Sequence, residues 1–195
     1  RVLHQRARAV AQAVLRLLER DALGAEDEVA REEPRVQAAV ATETLPVQRV
    51  SRPHRALVVG MGPAGLFAAH RLAECGVQVT LIERGRPVAE RVRDVERFWA
   101  SGELDVESNV QFGEGGAGTF SDGKLSTRLN HPWLRDVLET LVACGAPEEI
   151  LIEARPHVGT DRLRLVLIRF REQLRALGVD LRYETRLTGF ETSAG

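Results

Sequence analysis

The chain has 195 residues, of which 44% are hydrophobic, and a formal net charge of −1, as is ordinary for a globular protein. The near-zero charge gives no strong attraction to nucleic acid or to an anionic membrane, and no apolar run reaches the roughly 20 residues that cross a bilayer. Cys75 and Cys144 form no CxxC pair, so we expect free thiols, no metal site and a cytoplasmic location.

The N-terminal quarter of the chain differs in character from the rest. Apolar residues recur at helical spacing over 2–20, which predicts an amphipathic helix, and an acidic stretch after it predicts a solvated connector. The mixed segment between Pro46 and Pro53 could form a short strand. We therefore predict a small helical or α/β region and linker over 1–54, followed by a second domain over 55–195.

The second domain opens with a β-α-β pattern. The continuous apolar run 56–59 predicts a strand buried on both faces, 64–75 predicts a helix, and 77–82 predicts a second strand that Glu83 ends. This order, followed by an insertion over about 84–160 and a helix-strand pair, predicts an α/β fold with a parallel, doubly wound Rossmann-like sheet. The later predicted elements are helices at 87–101, 132–144 and 161–177, an extended stretch at 150–158 and a strand at 179–187.

The turn between the first strand and the first helix has the spacing GxGxxG. Gly60 permits the tight turn, Gly62 lets a pyrophosphate approach the backbone, and Gly65 lets the helix pack closely against the strand. Pro63 and Ala64 complete the turn and begin the helix, whose free N–H groups would point at the phosphates. With a strand before it and a helix after it, this string predicts a dinucleotide site; the alternative is glycines that serve turn geometry alone.

An acidic residue ends the second strand at the expected distance. Glu83 follows Gly60 by 23 residues, close to the roughly 20 typical of this fold, and its carboxylate could accept hydrogen bonds from ribose hydroxyls. It would repel a 2′-phosphate, which disfavours NADP at this turn. For Arg84 we keep two readings open, a solvated side chain and a contact with adenosine.

The glycine turn indicates an ADP group without saying which dinucleotide carries it. The long insertion after the second strand is typical of FAD proteins with the glutathione-reductase type of fold, whereas NAD dehydrogenases usually place a third strand after one short helix. We therefore expect FAD. An NAD(P)-dependent dehydrogenase and a non-catalytic dinucleotide-binding module remain the alternatives.

A second glycine-rich segment, 109–125, cannot form a regular element. Glycines cost backbone entropy and add no packing, so we expect close approach of main chain to a flat or anionic group, such as the flavin ring or its diphosphate. The candidates are Gly115, Gly116, Gly118 and Thr119. Hydroxyl and carboxylate groups of Thr119, Ser121 and Asp122 could bind the flavin or satisfy the backbone of the loop.

The same segment imitates part of a phosphate-binding loop of nucleoside triphosphatases. Residues 118–124 fit GxxxxGK, but Leu125 stands where Ser or Thr would reach Mg²⁺, and no buried strand precedes the loop. We therefore disfavour that reading. Lys124 is the single lysine of the chain and could pair with phosphate or polarise a substrate.

Downstream of this segment, several polar and aromatic residues allow two interpretations. His157 and Asp161 could act as acid and base, although Thr160 or Asp161 would more simply cap the helix that follows. Lys124 and His157 are weak catalytic candidates. We expect Trp99 to pack in the core from the apolar face of its helix, and Trp133 to cover the flavin or pack locally.

Four strings of this chain resemble those of the uncharacterised bacterial FAD-dependent dehydrogenases. The Asn109–Leu125 string is the most specific of them, because many flavoproteins share the glycine turn. The resemblance spans residues 56 to about 190. The strings are 60–66, 81–85, 109–125 and 156–163.

This resemblance implies a two-domain flavoprotein with a small N-terminal region. It implies FAD bound by the first turn, by Glu83 and by an arginine on the next helix, for which Arg91 is the candidate, with backbone contacts to adenine from Leu187. The implied activity is flavin-mediated hydride or electron transfer with a small-molecule substrate and NAD(P)H as an electron donor. Similar proteins close the FAD site with a later Gly-Asp segment, which lies beyond Gly195, so we expect a longer natural protein or weak cofactor affinity.

Overall fold

The computed structural model describes residues 46–121, 123–125, 131, 133–152 and 157–192. The predicted helix over 2–20, the acidic connector after it and Asp122 lie outside these residues. The domain boundary near residue 54 stays a prediction.

The described residues form three strands, four α-helices and two 3-10 helices. The strands are β1 (Arg55–Val59), β2 (Gln78–Ile82) and β3 (Asp180–Arg182). The α-helices are α1 (Pro63–Glu74), α2 (Val88–Ser101), α3 (Trp133–Ala143) and α4 (Thr160–Ala176). The 3-10 helices are Ala117–Phe120 and Glu148–Leu151.

The three strands form one parallel sheet in the order β1-β2-β3. Arg55 pairs with Gln78 at the start of the first ladder, and Thr80 pairs with Asp180 at the start of the second. Parallel neighbours require crossover connections, and α1 supplies the one between β1 and β2, whereas α4 leads into β3. The predicted α/β fold with a parallel sheet is confirmed.

Helix α1 is built for its place between the strands. Pro63 fits the first helical position because its N–H would have no intrahelical partner there, and Leu66, Phe67 and Ala69 are buried. The Phe67 ring meets Phe170 of α4 edge to face, with centroids 5.0 Å apart. Because each buried side chain of this size contributes roughly 1.5–3 kcal/mol, this contact holds α1 and α4 together over the sheet.

Strand β1 departs from its predicted environment. We expected burial on both faces, but Leu57 is 56% and Val59 is 53% exposed. The reason is that α1 packs on the face that carries Val58, whose Cγ1 would lie 3.6 Å from a Cβ on Gly65, whereas the described residues leave the opposite face largely uncovered. Only its other face, which carries Val58, packs against the core.

Three further local predictions are corrected. The segment between Pro46 and Pro53 contains no strand, and Ile150 lies in a 3-10 helix rather than an extended stretch. Trp99 is 61% exposed instead of packed in the core, with its ring edge-on to Phe120.

The final strand is also shorter than the predicted 179–187. It ends at Arg182, because Glu184 adopts φ 49, a left-handed conformation that interrupts extended backbone. Pairing nevertheless resumes beyond the strand, where the Thr185 N–H donates to Glu83 O at 2.8 Å.

Candidate dinucleotide-binding site

The first glycine turn connects β1 to α1 and leaves space beside Gly62. Gly60 has φ +94, and its N–H donates to Ile82 O at 2.8 Å, which fixes the turn to the end of β2. A Cβ on Gly65 would lie 1.8 Å from Gly60 O, so glycine there is required by close helix-strand packing. A Cβ on Gly62 would meet a single described atom within 4 Å, Gly116 Cα at 3.9 Å. Protein packing therefore explains Gly65 but does not explain the missing side chain at Gly62.

The N-terminus of α1 opens onto this space. Gly62 is the N-cap in extended conformation, and no described side chain caps the helix. The Leu66 N–H bonds to Gly62 O at 3.0 Å, so the N–H groups of Ala64 and Gly65 precede the first helical hydrogen bond. Such groups, with the helix dipole, favour an anion by roughly 0.3–1 kcal/mol.

Glu83 ties three segments of main chain together. Its side chain is buried; Oε2 accepts the Met61 N–H at 2.8 Å, and Oε1 accepts the N–H groups of Gly85 at 2.9 Å and Gly113 at 3.0 Å. A carboxylate offers about four lone-pair sites, so these bonds leave about one on Oε2. The predicted ribose contact of Glu83 stays a prediction, and the carboxylate is directed at the glycine turn, as that prediction requires.

The second glycine-rich segment lies directly against the first. The Gly115 N–H donates to Met61 O at 2.8 Å, and a Cβ on Gly116, which has φ +69, would come within 3.1 Å of Gly62 Cα. We expected these glycines to allow main chain to approach a ligand. At Gly115 and Gly116 the approach that the structure shows is to the chain itself, whereas Gly118 has no described atom within 4 Å of its Cβ position.

Arg91 holds the second glycine-rich segment from inside. The residue is fully buried, and its guanidinium donates to Asn109 O at 2.8 Å, Val110 O at 2.8 Å and Glu114 O at 2.7 Å. Burial lowers its pKa to about 10, although Glu83 and Glu114 oppose this effect. Its predicted contact with FAD stays a prediction.

Thr119 belongs to the same buried contacts. It is fully buried, with Oγ1 3.3 Å from an Arg91 nitrogen and 3.4 Å from Glu114 O. These contacts correspond to the alternative in which its hydroxyl satisfies the loop. A contact between Thr119 and the flavin stays a prediction.

The burial of Glu114 in this segment was not predicted from the sequence. Glu114 is fully buried; its Oε1 accepts the Tyr183 hydroxyl at 2.7 Å, and its Oε2 accepts the Val88 N–H at 2.7 Å and an Arg171 N–H at 3.0 Å. A signal was present, because a charged residue among glycines that cannot build a core is unexpected. Its partners lie as far as 69 positions away, and no local pattern reveals them.

A polar cavity of about 270 Å³ lies just beyond Glu83. Arg84 donates to Glu107 at 2.7 Å and lies 3.9 Å over the Phe112 ring, so it is not a simple solvated side chain. The Ser108 hydroxyl is buried without a hydrogen-bond partner among the described residues. The predicted adenosine contacts of Arg84 and Leu187 stay predictions. The residues that line the cavity are Arg84, Arg86, Asp105, Glu107, Ser108, Glu184 and Arg186.

The two weak catalytic candidates are neighbours in space. Lys124 and His157 form an isolated antiparallel bridge, and the Val158 N–H donates to Gly123 O at 2.9 Å. Both residues are exposed. Their backbones bring them together across more than 30 residues of sequence, and their catalytic role stays a prediction.

The expected cap of α4 is corrected. The N-cap is Gly159, and no described side chain caps the helix. Thr160 is already helical and its hydroxyl donates to Ser121 O at 3.2 Å, while Asp161 is 99% exposed and lies 3.6 Å from Arg164. Gly159, which has φ +79, therefore takes the N-cap position that we predicted for Thr160 or Asp161.

Comparisons with known proteins agree with the geometry of the turn. A family model described as an FAD binding domain matches residues 54–94, which contain β1, the glycine turn, α1, β2 and Glu83.

The described residues contain no helix with the length and hydropathy to span a bilayer. They also contain no group of three or more metal-ligating side chains.

Similar proteins include an uncharacterised protein of Clostridium beijerinckii, 50% identical over 133 residues, which are 68% of this chain and 25% of that protein. An L-amino-acid oxidase of Pseudechis australis is 54% identical over 46 residues, 24% of this chain and 9% of the oxidase. An L-glutamate oxidase precursor of Streptomyces viridosporus is 46% identical over 61 residues, 31% of this chain and 9% of the precursor.

The fold and the turn define a dinucleotide-binding α/β domain. The matched family identifies the cofactor of this domain as FAD, and the space at Gly62, the open N-terminus of α1 and the direction of Glu83 fit that cofactor. The chain spans about a quarter of the length of its Clostridium relative.

Proposed function

We propose that this chain is the FAD-binding part of a flavin-dependent oxidoreductase with the glutathione-reductase type of fold. The observation that carries the proposal is the space at Gly62, which faces the open N-terminus of α1 and which protein packing does not explain. The names of the two oxidases, which share 46 and 61 aligned residues with this chain, support oxidation-reduction as the class of reaction.

In this proposal the residues of the chain bind and orient the cofactor. The N–H groups of Ala64 and Gly65 would hold the diphosphate, and the remaining lone pair of Glu83 Oε2 would accept a ribose hydroxyl. The negative charge of Glu83 would disfavour a 2′-phosphate. FAD, when bound, supplies the hydride or electron transfer itself, so the chain needs no nucleophile of its own.

We further propose a dehydrogenase in the cytoplasm in which NAD(P)H gives a hydride to the bound flavin and a small-molecule substrate accepts the two electrons from the reduced flavin. Lys124 and His157 are the polar side chains that we would test for a role in substrate turnover, since the bridge between their backbones keeps them together. Replacing each with Ala should then lower the rate of turnover without lowering FAD content. Unchanged turnover in both variants would remove them from the proposal.

The decisive experiment replaces Gly62 with Ala. The new methyl group would meet described protein atoms only at 3.9 Å, an ordinary contact, and the extended backbone at Gly62, with φ −72, accepts Ala. Because Ala is a poorer N-cap than Gly, we expect the cofactor-free protein to lose about 1 kcal/mol of stability or less. If diphosphate occupies this space, overpacking of about 1–3 kcal/mol should weaken FAD binding roughly 5- to 150-fold.

The matched control is Gly189→Ala, because Gly189 has no described atom within 4 Å of its Cβ position. FAD affinity is measured by titration and the melting temperature by calorimetry, with NADH and NADPH titrated in parallel. Equal FAD affinity in both variants and the unaltered chain would refute the assignment of the turn. Stabilisation by NADH in place of FAD would favour an NAD-dependent dehydrogenase, and FAD binding without reduction of a dye acceptor would favour a non-catalytic module.

A further inference from the structure

Glu114 joins the second glycine-rich segment to three separate elements. Its carboxylate accepts hydrogen bonds from the main chain of Val88 at the start of α2, from Arg171 in α4 and from Tyr183 after β3. The side chains of Arg171 and Glu114 are 15% and 1% exposed. A carboxylate is removed from water to this extent only when it is paired and hydrogen-bonded, so these contacts are mutually dependent.

Glu114 supplies the charge that its two side-chain partners share, and these partners, Arg171 and Tyr183, also contact each other. Arg171 Nε is buried without a partner among the described residues, and Arg171 forms its ion pair with Glu114 at 3.0 Å. Burial, and after it the charge of Glu114, raises the pKa of Tyr183, so its hydroxyl remains a donor. Removal of the carboxylate would therefore take the balancing charge away from a partly buried guanidinium and an acceptor away from a partly buried hydroxyl.

Glu114 is also adjacent in sequence to the residues that touch the first glycine turn. Gly115 donates its N–H to Met61 O at 2.8 Å, and the Cα of Gly62 would lie 3.1 Å from a Cβ on Gly116. On the other side, Gly113 donates its N–H to Glu83 at 3.0 Å. The anchored carboxylate thus lies in the middle of the contacts that join the two glycine-rich segments.

We propose that Glu114 is a positioning residue for the FAD site, which rests on the proposed function of the glycine turn. The buried carboxylate fixes Gly115 and Gly116 at their distance from Met61 and Gly62. It acts through the main chain and does not touch the cofactor. When this anchor is weakened, the second segment is free to shift against the first turn, and the space for the diphosphate loses its shape.

The test compares Glu114→Gln with the unaltered full chain. The amide keeps the length of the side chain but removes the charge that pairs with Arg171. In the cofactor-free protein we expect faster hydrogen exchange at the amides of Gly115 and Gly116, and on titration with FAD a rise in Kd of at least tenfold. The control is Ile150→Val, a change in the core at a residue that is 1% exposed, which should lower the melting temperature without either effect.

Each outcome bears on one of the two proposals. Failure of the unaltered chain to bind FAD refutes the proposed function, whereas binding by the unaltered chain with unchanged Kd in Glu114→Gln overturns the positioning role. Unchanged exchange at Gly115 and Gly116 overturns it independently of FAD. If Glu114→Gln fails to fold, Tyr183→Phe provides a milder test, because it removes the hydrogen bond to Glu114 without changing charge. It should also raise the exchange rate at Gly115 and Gly116 and the Kd for FAD.

Discussion

The close packing of α1 on the first turn makes Gly65 the most sensitive position of the βαβ unit. In Gly65→Ala the new Cβ would lie 1.8 Å from Gly60 O and 3.0 Å from Gly60 C. Carbon and oxygen atoms normally approach no closer than about 3.3 Å. Because the contacted atoms belong to the main chain, no rotation of a side chain can relieve the overlap. The helix must therefore move away from β1 by about 1.5 Å, the difference between these distances.

The expected loss of stability follows from two opposing terms. Overpacking of a well-packed region costs about 1–3 kcal/mol, and a main-chain overlap belongs at the upper end of that range. Ala is favoured over Gly inside a helix by up to about 1 kcal/mol. The net loss is therefore about 2 kcal/mol, which for a domain of this size corresponds to a fall in melting temperature of about 4–8 °C.

Urea unfolding and calorimetry of the cofactor-free protein measure this loss, with Gly189→Ala as the control. Because displacement of α1 also moves the N–H groups of Ala64, FAD binding should weaken in Gly65→Ala. The reasoning is refuted if Gly65→Ala is as stable as the control, because the predicted overlap with Gly60 O would then be absent.

Three other predictions concern groups away from this contact. Burial raises the pKa of the Cys144 thiol from 9.0 to about 11, against the opposing charge of Arg169; the folded state therefore keeps the proton that the unfolded chain loses above pH 9. Stability should fall by about 2 kcal/mol between pH 9 and 11, and a Cys144→Ala variant should show a flatter profile in urea titrations. Burial lowers the pKa of His70 despite the nearby charge of Glu74. The stability that the neutral imidazole contributes should therefore be lost as the pH falls below 6.5. His70→Gln should lose less stability between pH 7 and 5 than the unaltered chain. Gly118→Ala meets no described atom within 4 Å and should stabilise the cofactor-free protein by about 0.4–1 kcal/mol, while a rise in its Kd for FAD would show that the flavin approaches this glycine.

The sequence was sufficient for features that depend on local spacing. The βαβ unit could be predicted because strand, turn and helix each carry their own pattern within a few residues. The burial of Leu66 and Ala69 follows from the same periodicity. The position of Glu83 at the end of β2 follows from the length of a crossover helix, and its carboxylate accepts the Met61 N–H of the turn.

Other features depend on contacts between residues far apart in the chain. Burial of Glu114 requires donors from α2, α4 and the segment after β3, and no helical or strand periodicity encodes that meeting. The same holds for Arg91, whose guanidinium binds carbonyl groups that any sequence would provide. Exposure of Leu57 depends on which face of the sheet the helices cover, which the side-chain pattern of β1 does not reveal.

The three hydrogen bonds of Glu83 have a consequence for how rapidly cofactor can be taken up. One carboxylate links Met61 in the turn, Gly85 after β2 and Gly113 in the second segment, so none of these segments can rearrange alone. These segments are already in place before a dinucleotide binds, so binding costs little loop entropy. Association should accordingly show a single concentration-dependent phase in stopped-flow mixing, with no slow isomerisation after the encounter.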